Sequence, residues 1–126
     1  MIRAVRGAVG IEHNREGEIH AGAQKLIEEI LSQNNIAETD LISILFSVTR
    51  DLTKGNPATG LRSNGFAEVP LFCVQEAEIE GALPKILRVL VTYGTESNAA
   101  PVPVYLGRAV SLRPDLTDPT EGKHGL

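Results

Sequence analysis

Apolar side chains recur along the first third of the chain at spacings that predict a strand followed by a helix. Residues 2–9 interleave apolar positions with two arginines, as a half-buried strand does. Asn14 is a candidate N-cap of the helix, and Asn34-Asn35 is its expected C-terminal stop. One apolar stripe at helical spacing lies between them, formed by Ile19, Ala23, Leu26, Ile27, Ile30 and Leu31.

The rest of the chain predicts mainly strands. Asn56-Pro57 predicts the N-cap and first position of a short helix, which should end by Asn64-Gly65. Residues 107–112 match no element clearly. Further strands are predicted at residues 41–49, 69–76, 86–93 and 102–106, each an apolar run bounded by loop residues. We expect the first of these strands to be buried, and the second and third to form the central pair of the sheet.

This order of elements predicts the fold class. A strand, a helix, a strand, a short helix and three further strands indicate an α/β (α+β) domain with a single mixed sheet of about five strands. Residues 1–116 make up the domain, and the polar tail 117–126 is expected to be flexible. One long and one short helix cannot cover both faces of the sheet, so we expect the chain to oligomerise.

Composition excludes several classes of function. The net charge of −4 argues against a nucleic-acid surface, and only 4% of residues are aromatic, which argues against base stacking. No apolar run reaches the ~20 residues needed to span a bilayer, and the N-terminus lacks the apolar core of a signal peptide. With a single cysteine there is no internal disulfide framework. We therefore expect a cytoplasmic protein with neither nucleic-acid nor membrane partners.

Two charged residues lie in the apolar runs 69–76 and 86–93. Arg88 has apolar neighbours on both sides, and Glu76 ends the preceding run. Because burying an unpaired charge is costly, Arg88 either forms a structural ion pair, with Glu76 among the candidates, or faces a polar site. In the second case it would stabilise an anion or oxyanion from a rigid strand. The sequence leaves both interpretations open.

The other reactive residue types do not form a catalytic motif. Cys73 is more typical of a small buried apolar residue than of a nucleophile, and the three histidines lack metal-ligand spacing. Residues 55–60 resemble half of a phosphate-binding loop, but Leu61 stands where a lysine is needed. Tyr105 could be a core residue or a hydroxyl donor. The residues alone therefore predict a small oligomeric α/β domain that binds a small anion.

Taken together, the segments resemble the monofunctional chorismate mutases of the trimeric pseudo-α/β-barrel type, which are distinct from the all-helical chorismate mutases. The resemblance runs from Ile2 to Leu116 in nearly the family's order and spacing. It rests on residues 2–8 (IRAVRGA), 48–52 (VTRDL), 57–58 (PA) with Arg62, 69–76 (VPLFCVQE), 86–90 (ILRVL), 104–106 (VYL) and 112–116 (LRPDL).

The resemblance implies a reaction and its ligands. Chorismate would rearrange to prephenate in a Claisen reaction on the route to phenylalanine and tyrosine. The reaction is unimolecular, so the resemblance implies neither a cofactor nor a metal. In this family the site lies between neighbouring subunits of a homotrimer, which agrees with the open sheet face predicted above.

The resemblance also implies a role for each matching residue. Arg88 would lie at the breaking ether bond, Arg6 would bind a carboxylate and Glu76 would bind the ring hydroxyl. The other substrate-binding residues would be Phe72, Cys73, Val74 and Gln75 along the pocket, Tyr105 at a carboxylate, and Pro57, Ala58, Thr59, Arg62 and Arg113 towards the mouth. The chain departs from the family pattern at Asn56, where an aromatic residue is expected, and at Thr59, where a close relative has lysine.

Two other functions fit the same residues. A non-catalytic, small-anion-binding regulatory trimer would keep the arginines without needing one at an ether oxygen. An imine or enamine deaminase of a related trimeric fold would act on amino-acid-derived imines and depend only weakly on Arg88. Turnover of chorismate discriminates between these possibilities.

Overall fold

Five strands and two α-helices, with two short 3₁₀ helices, form the part of the chain that the structure describes. The structure is a computed structural model, and it describes residues 1–116 and 118–120. The elements are β1 (Ile2–Gly10), α1 (Glu16–Asn34), β2 (Leu41–Val48), α2 (Pro57–Arg62), β3 (Leu71–Gln75), β4 (Ile86–Gly94) and β5 (Val104–Leu106), with 3₁₀ helices at Glu38–Asp40 and Gly107–Leu112.

The strands form one mixed sheet in the order β3-β2-β4-β1-β5. β4 is antiparallel to both β1 and β2, whereas β3 pairs parallel to β2 and β5 pairs parallel to β1. The expected α+β fold is thus confirmed. The prediction that residues 69–76 and 86–93 form a central pair is wrong, because β2 lies between them and β3 is an edge strand. β2 is also only half-buried, since its side chains alternate between the core and the other face.

Helix α1 packs over one face of the sheet and forms the main core there. Its buried residues Ile19, Ala23, Leu26, Ile27 and Ile30 are the predicted stripe. The helix lies so close to β1 that a Cβ at Gly7 would stand 2.8 Å from Ile30 Cδ1 and 2.9 Å from the carbonyl oxygen of Val104. A side chain at position 7 would therefore push the helix away from the sheet.

The ends of α1 agree with the sequence at one terminus only. Asn35 adopts a left-handed conformation, with φ of 52°, and ends the helix as expected. The prediction that Asn14 is the N-cap is wrong, because Arg15 occupies that position without a side-chain cap. The side-chain oxygen of Asn14 instead accepts hydrogen bonds from the backbone N–H groups of Thr53 and Lys54. Asn14 therefore holds the loop that precedes α2.

Helix α2 forms as its sequence predicts. The side-chain oxygen of Asn56 accepts a hydrogen bond from the Ala58 N–H at 2.9 Å, and Pro57 occupies the first helical position. Ala58 and Leu61 join the main core beneath α1. The whole of α2 consequently lies on the helix-covered side of the sheet.

The opposite face of the sheet is largely open. One end of it is covered by a small cluster of Ala8, Ile86, Tyr105 and Ala109, packed under the C-terminal segment. The remainder exposes apolar side chains that a single chain does not cover, namely Leu45, Phe72, Val74 and Leu90. We call this surface the open face.

The tail lies partly outside the described residues, which exclude Thr117 and residues 121–126. Asp118 is buried, and it accepts hydrogen bonds from the Gly107 N–H and from Thr120. Burial alone would raise the pKa of Asp118, but the hydrogen bonds from Thr120 and Gly107 outweigh it and lower the pKa. Flexibility of residues 117–126 remains a prediction. Within the described ranges, no helix is long and apolar enough to cross a membrane.

Candidate active site

The strand register brings Arg88 into line with residues from four strands. Arg88 on β4 pairs with Ala8 on β1 and with Ser47 on β2. Beyond these partners, Ala8 pairs with Tyr105 on β5, and Ser47 pairs with Val74 on β3. Side chains of directly paired residues project from the same face of a sheet. Tyr105, Arg88 and Val74 therefore share the open face, although they lie far apart in the sequence.

Arg88 and Glu76 form an ion pair at the centre of this row. Nε of Arg88 lies 3.4 Å from Oε2 of Glu76, and that oxygen also accepts a hydrogen bond from the Ser47 hydroxyl. The side chains of Arg88 and Glu76 remain 39% and 32% exposed. An ion pair at such exposure contributes only about 0–1 kcal/mol to stability. Stability alone therefore does not account for an arginine in this apolar strand.

Arg88 also has unused hydrogen-bonding capacity. Among the residues that the structure describes, its Nε is buried and makes no hydrogen bond, although this atom lies within ion-pair distance of Glu76. The guanidinium carries five N–H donors in a planar fork that suits carboxylates and other oxygen anions. Arg88 is thus oriented by Glu76 while keeping donors for a ligand on the open face.

Two further cationic side chains, Arg6 and Arg113, lie on the open face near Arg88. Arg6 and Tyr105 line the same depression as Arg88, which has a volume of about 280 Å³. Glu76 and Arg88 line an adjoining depression of about 220 Å³. On the other side, Arg6 and Arg113 share a third depression. The open face therefore presents Arg6, Arg88 and Arg113, with Glu76 paired to Arg88.

The side chain of Arg113 lies over the ring of Tyr105. Its guanidinium carbon stands 5.9 Å from the ring centroid, and its Nη2 is 2.9 Å from Oδ2 of Asp115. The hydrogen bond from Arg113 lowers the pKa of Asp115, and Asp115 in turn raises the pKa of Arg113. The resemblance implied that Arg113 lies towards the pocket mouth, and in the structure Arg113 lies on the open face beside Tyr105.

The remaining predicted site residues do not reach this cluster within one chain. Pro57, Ala58, Thr59 and Arg62 lie on α2, on the helix-covered side of the sheet. Phe72 lies on the open face, but at its β3 edge, in the row of Leu45 and Leu90 rather than that of Arg88. The structure thus brings together Arg6, Glu76, Val74, Arg88, Tyr105 and Arg113 and leaves the others apart.

Cys73 and Gln75 project from the helix-covered face, because side chains alternate along β3. Cys73 packs against the main core. Burial raises the pKa of its thiol, so the neutral form is favoured. These features agree with the interpretation of Cys73 as a small apolar residue and disfavour a thiolate nucleophile.

We predict that Cys73→Ser retains activity within about tenfold of wild type, because a hydroxyl nearly matches the thiol in size and no thiolate attack is needed. The measurement is kcat and KM for chorismate, the substrate that the resemblance implies, with circular dichroism as the control for folding. Complete loss of turnover in a folded Cys73→Ser protein would indicate covalent catalysis instead.

The sequence interpretation missed Ser47, Leu45 and Leu90. Ser47 orients Glu76, and all three line the depression that contains Arg88. A signal was present, since residues 43, 45 and 47 alternate with the buried Ile44 and Phe46 and so had to face the other side. Only the strand order, however, shows that this other side is the face of Arg88.

Comparison with known proteins assigns this fold and arginine-lined face to a family. The family model described as chorismate mutase type I matches residues 2–116. A chorismate mutase AroH from Thermus thermophilus is 38% identical over 118 residues, covering 92% of this chain and 97% of the relative. The chorismate mutase AroH of Bacillus subtilis (strain 168) is 38% identical over 119 residues, covering 93% and 94%.

Solved structures give the same result. A chorismate mutase from Clostridium thermocellum superposes with a TM-score of 0.83 at 36% identity, covering 86% of this chain and 98% of that chain. The chain therefore belongs to the chorismate mutase type I family. This confirms the resemblance seen in the sequence and the expectation that the chain is a chorismate mutase, an isomerase of aromatic amino-acid biosynthesis. The roles of individual residues remain predictions.

Proposed function

We propose that the chain converts chorismate to prephenate at the arginine cluster of the open face, with Arg88 at the ether oxygen. The observation that supports this assignment is the position of Arg88, which is paired with Glu76 on a rigid strand and lines the same depression as Arg6 and Tyr105. As the ether bond breaks, negative charge grows on its oxygen. A fixed cation there binds the transition state more tightly than the ground state, which raises the rate.

We assign the substrate carboxylates to the flanking cations. Chorismate is a dicarboxylate, and Arg6 and Arg113 stand on the side of the depression away from Glu76. Tyr105 lies between Arg88 and Arg113 and would donate its hydroxyl to one carboxylate. Charge complementarity of this kind explains how an acidic chain can bind a dianion.

We assign the ring hydroxyl to Glu76. Its Oε2 is already engaged by Ser47 and Arg88, which fixes the carboxylate and leaves Oε1 as the acceptor. The site would also hold chorismate in its compact diaxial form. This conformation is strained by about 1–5 kcal/mol, and the binding contacts would offset that cost. Electrostatic stabilisation and this restriction together constitute the proposed mechanism, and neither requires a cofactor.

We propose that the site is completed by a second copy of the chain in a homotrimer. The open face exposes Leu45, Phe72 and Leu90, and such an apolar row is typical of a surface that another subunit covers. The neighbour would contribute the predicted residues that one chain leaves apart: Pro57, Ala58, Thr59, Arg62, Phe72, Cys73 and Gln75. We further expect the enzyme to act in the cytoplasm.

The first test is the loss of chorismate absorbance with purified protein. We expect turnover many orders of magnitude above the spontaneous rate, since enzymes typically accelerate reactions by about 10⁶-fold or more. Binding of chorismate with conversion at the spontaneous rate would favour a non-catalytic anion-binding trimer. Turnover of amino-acid-derived imines without chorismate conversion would favour the deaminase.

A hybrid experiment tests whether two copies share one site. Arg88→Ala disables the cluster on the open face, and Arg62→Glu places a repelling charge on α2. In trimers refolded from an equal mixture, about one quarter of the interfaces combine an intact Arg88 with an intact Arg62 from the neighbour. We expect the mixture to recover about one quarter of wild-type activity, although each variant alone is nearly inactive.

The control for the hybrid is the same mixture without refolding, in which subunits do not exchange. Recovery to the sum of the two separate activities, and no more, would show that one chain carries the whole site. Sedimentation of the refolded mixture checks that the hybrid is a trimer.

A further inference from the structure

One loop connects Glu76 to the strand that carries its ion-pair partner, Arg88. Glu76 directly follows β3, residues 77–84 form the loop, and β4 begins at Ile86, two residues before Arg88. Lys85, at the junction, adopts a left-handed conformation with φ of 52°. A lysine is strained in that region and stays there only if its surroundings hold it. The junction therefore needs an external restraint.

Asp51 supplies the restraint on the N–H side of Lys85. Both carboxylate oxygens of Asp51 accept the Lys85 N–H, each at 3.1 Å. The Thr49 hydroxyl donates to the same carboxylate and accepts the Ile86 N–H at 3.1 Å. The backbone N–H of Thr49 donates to the Ile86 carbonyl at 3.1 Å. Two successive backbone units are thus fixed just before Arg88.

Arg108 supplies the restraint on the carbonyl side. Its Nη2 donates to the Lys85 carbonyl at 3.2 Å and to the Ile11 carbonyl at 2.8 Å, and its Nη1 donates to the Pro84 carbonyl at 3.2 Å. The Ile11 N–H donates to the same Lys85 oxygen at 2.8 Å. Arg108 lies in the 3₁₀ helix that follows Tyr105, so the junction is also tied to that part of the site.

We propose that Asp51 and Arg108 are positioning residues that clamp the backbone at Lys85 and so fix the distance between Arg88 and Glu76. This inference rests on the proposed role of Arg88. Neither residue lines the depression that holds Arg6 and Tyr105. Asp51 does line the adjoining depression of Glu76 and Arg88, but its carboxylate is occupied by the Lys85 N–H and the Thr49 hydroxyl, so we assign its effect to the strand start that carries Arg88. A displacement of about 1 Å at a reacting group is enough to lower a rate about 10²-fold.

The experiment compares Asp51→Asn with Arg88→Ala and with the double variant. Asparagine keeps one acceptor oxygen but replaces the other with an NH₂ donor and removes the negative charge, so the Lys85 N–H loses one of its two acceptors and this side of the clamp is weakened at constant side-chain size. We expect Asp51→Asn to lower kcat about tenfold while KM changes less than about threefold, because misplacing Arg88 affects the transition state more than carboxylate binding. In the Arg88→Ala background the same change should have little further effect.

A second substitution tests the left-handed conformation directly. Glycine adopts positive φ without strain, so Lys85→Gly added to Asp51→Asn should restore most of the lost kcat. Asp40→Asn is the matched control, because it removes an exposed carboxylate from a distant 3₁₀ helix. If Asp51→Asn does not fold, Thr49→Val and Thr49→Ser take its place, with loss of kcat expected only for valine.

Several results would overturn the clamp. They are an unchanged kcat in Asp51→Asn, an equal loss in the presence and absence of Arg88, and failure of Lys85→Gly to restore activity. Equal kcat values for Thr49→Val and Thr49→Ser would have the same meaning. Failure of the proposed function looks different, because Arg88→Ala alone would then remain fully active.

Discussion

Replacing Arg88 by alanine is expected to lower kcat/KM for chorismate by about 10²–10³-fold, which corresponds to a loss of about 3–4 kcal/mol of transition-state stabilisation. The guanidinium is held by Glu76 and stands on β4, a strand paired on both sides, so its orientation is fixed before substrate binds. Most of the loss should appear in kcat, because the charge on the ether oxygen develops only as the bond breaks.

The Arg88→Lys variant distinguishes the effect of the positive charge from the effect of the guanidinium geometry. Lysine keeps the positive charge but lacks the planar fork and the reach of the guanidinium, so we expect activity between that of alanine and wild type. Arg15→Ala is the matched control, because it removes an exposed arginine on the far side of the sheet from the cluster. Thermal unfolding should change little in all three variants, since the ion pair with Glu76 is partly exposed.

A fully active Arg88→Ala protein would contradict the electrostatic mechanism. Activity lost together with chorismate binding, at unchanged kcat on saturation, would instead assign Arg88 to ground-state binding. Steady-state kinetics over a range of chorismate concentrations distinguishes the two.

Most elements of the fold could be predicted because their signals are local. The stripe of α1 and the Asn56-Pro57 start of α2 depend on residues a few positions apart, and both predictions are confirmed. Asn14 shows the limit of such reasoning. Asparagine is a common N-cap residue, but the side chain of Asn14 accepts a hydrogen bond from the backbone of a loop 39 residues away and does not cap the helix.

The order of the strands could not be predicted, because it depends on contacts between distant segments. Residues 69–76 and 86–93 are close in sequence and suggested neighbours, but the intervening loop is long enough for β2 to lie between them. With β2 in that position, β3 is an edge strand. The side chain of Cys73 on β3 packs against the main core, on the helix-covered face. Strand parity and strand order together determine the face of a residue, and the sequence provides only the first.

Most residues of the candidate site could be identified from the sequence only where they match the family pattern. Arg88 and Glu76 stood out as charges in apolar runs, and Tyr105 as a possible hydroxyl donor, whereas the roles of Arg6 and Arg113 were implied only by the resemblance. Ser47, Asp51 and Arg108 were missed because they act on other residues rather than on the ligand. Such supporting contacts depend on three-dimensional placement, which neither motif nor composition encodes.

Replacing Phe72 by aspartate is expected to dissociate the proposed trimer and reduce activity to about 1% of wild type or less. The side chain of Phe72 is 66% exposed in the single chain and stands at the β3 edge of the open face. Truncation of an interface hot-spot residue costs about 2 kcal/mol or more, and burying an unpaired carboxylate adds a further penalty. A closed trimer has three equal interfaces and suffers this loss at each.

The fold of the single chain should tolerate the change, because the main core lies on the other face of the sheet. We therefore expect an unchanged circular dichroism spectrum, a monomer in sedimentation velocity, and activity that rises with protein concentration as residual trimer forms. Phe72→Leu keeps an apolar contact and is the matched control. A monomeric Phe72→Asp protein with wild-type turnover would show that one copy carries a complete site, whereas an inactive trimer would assign Phe72 to the ligand rather than to assembly.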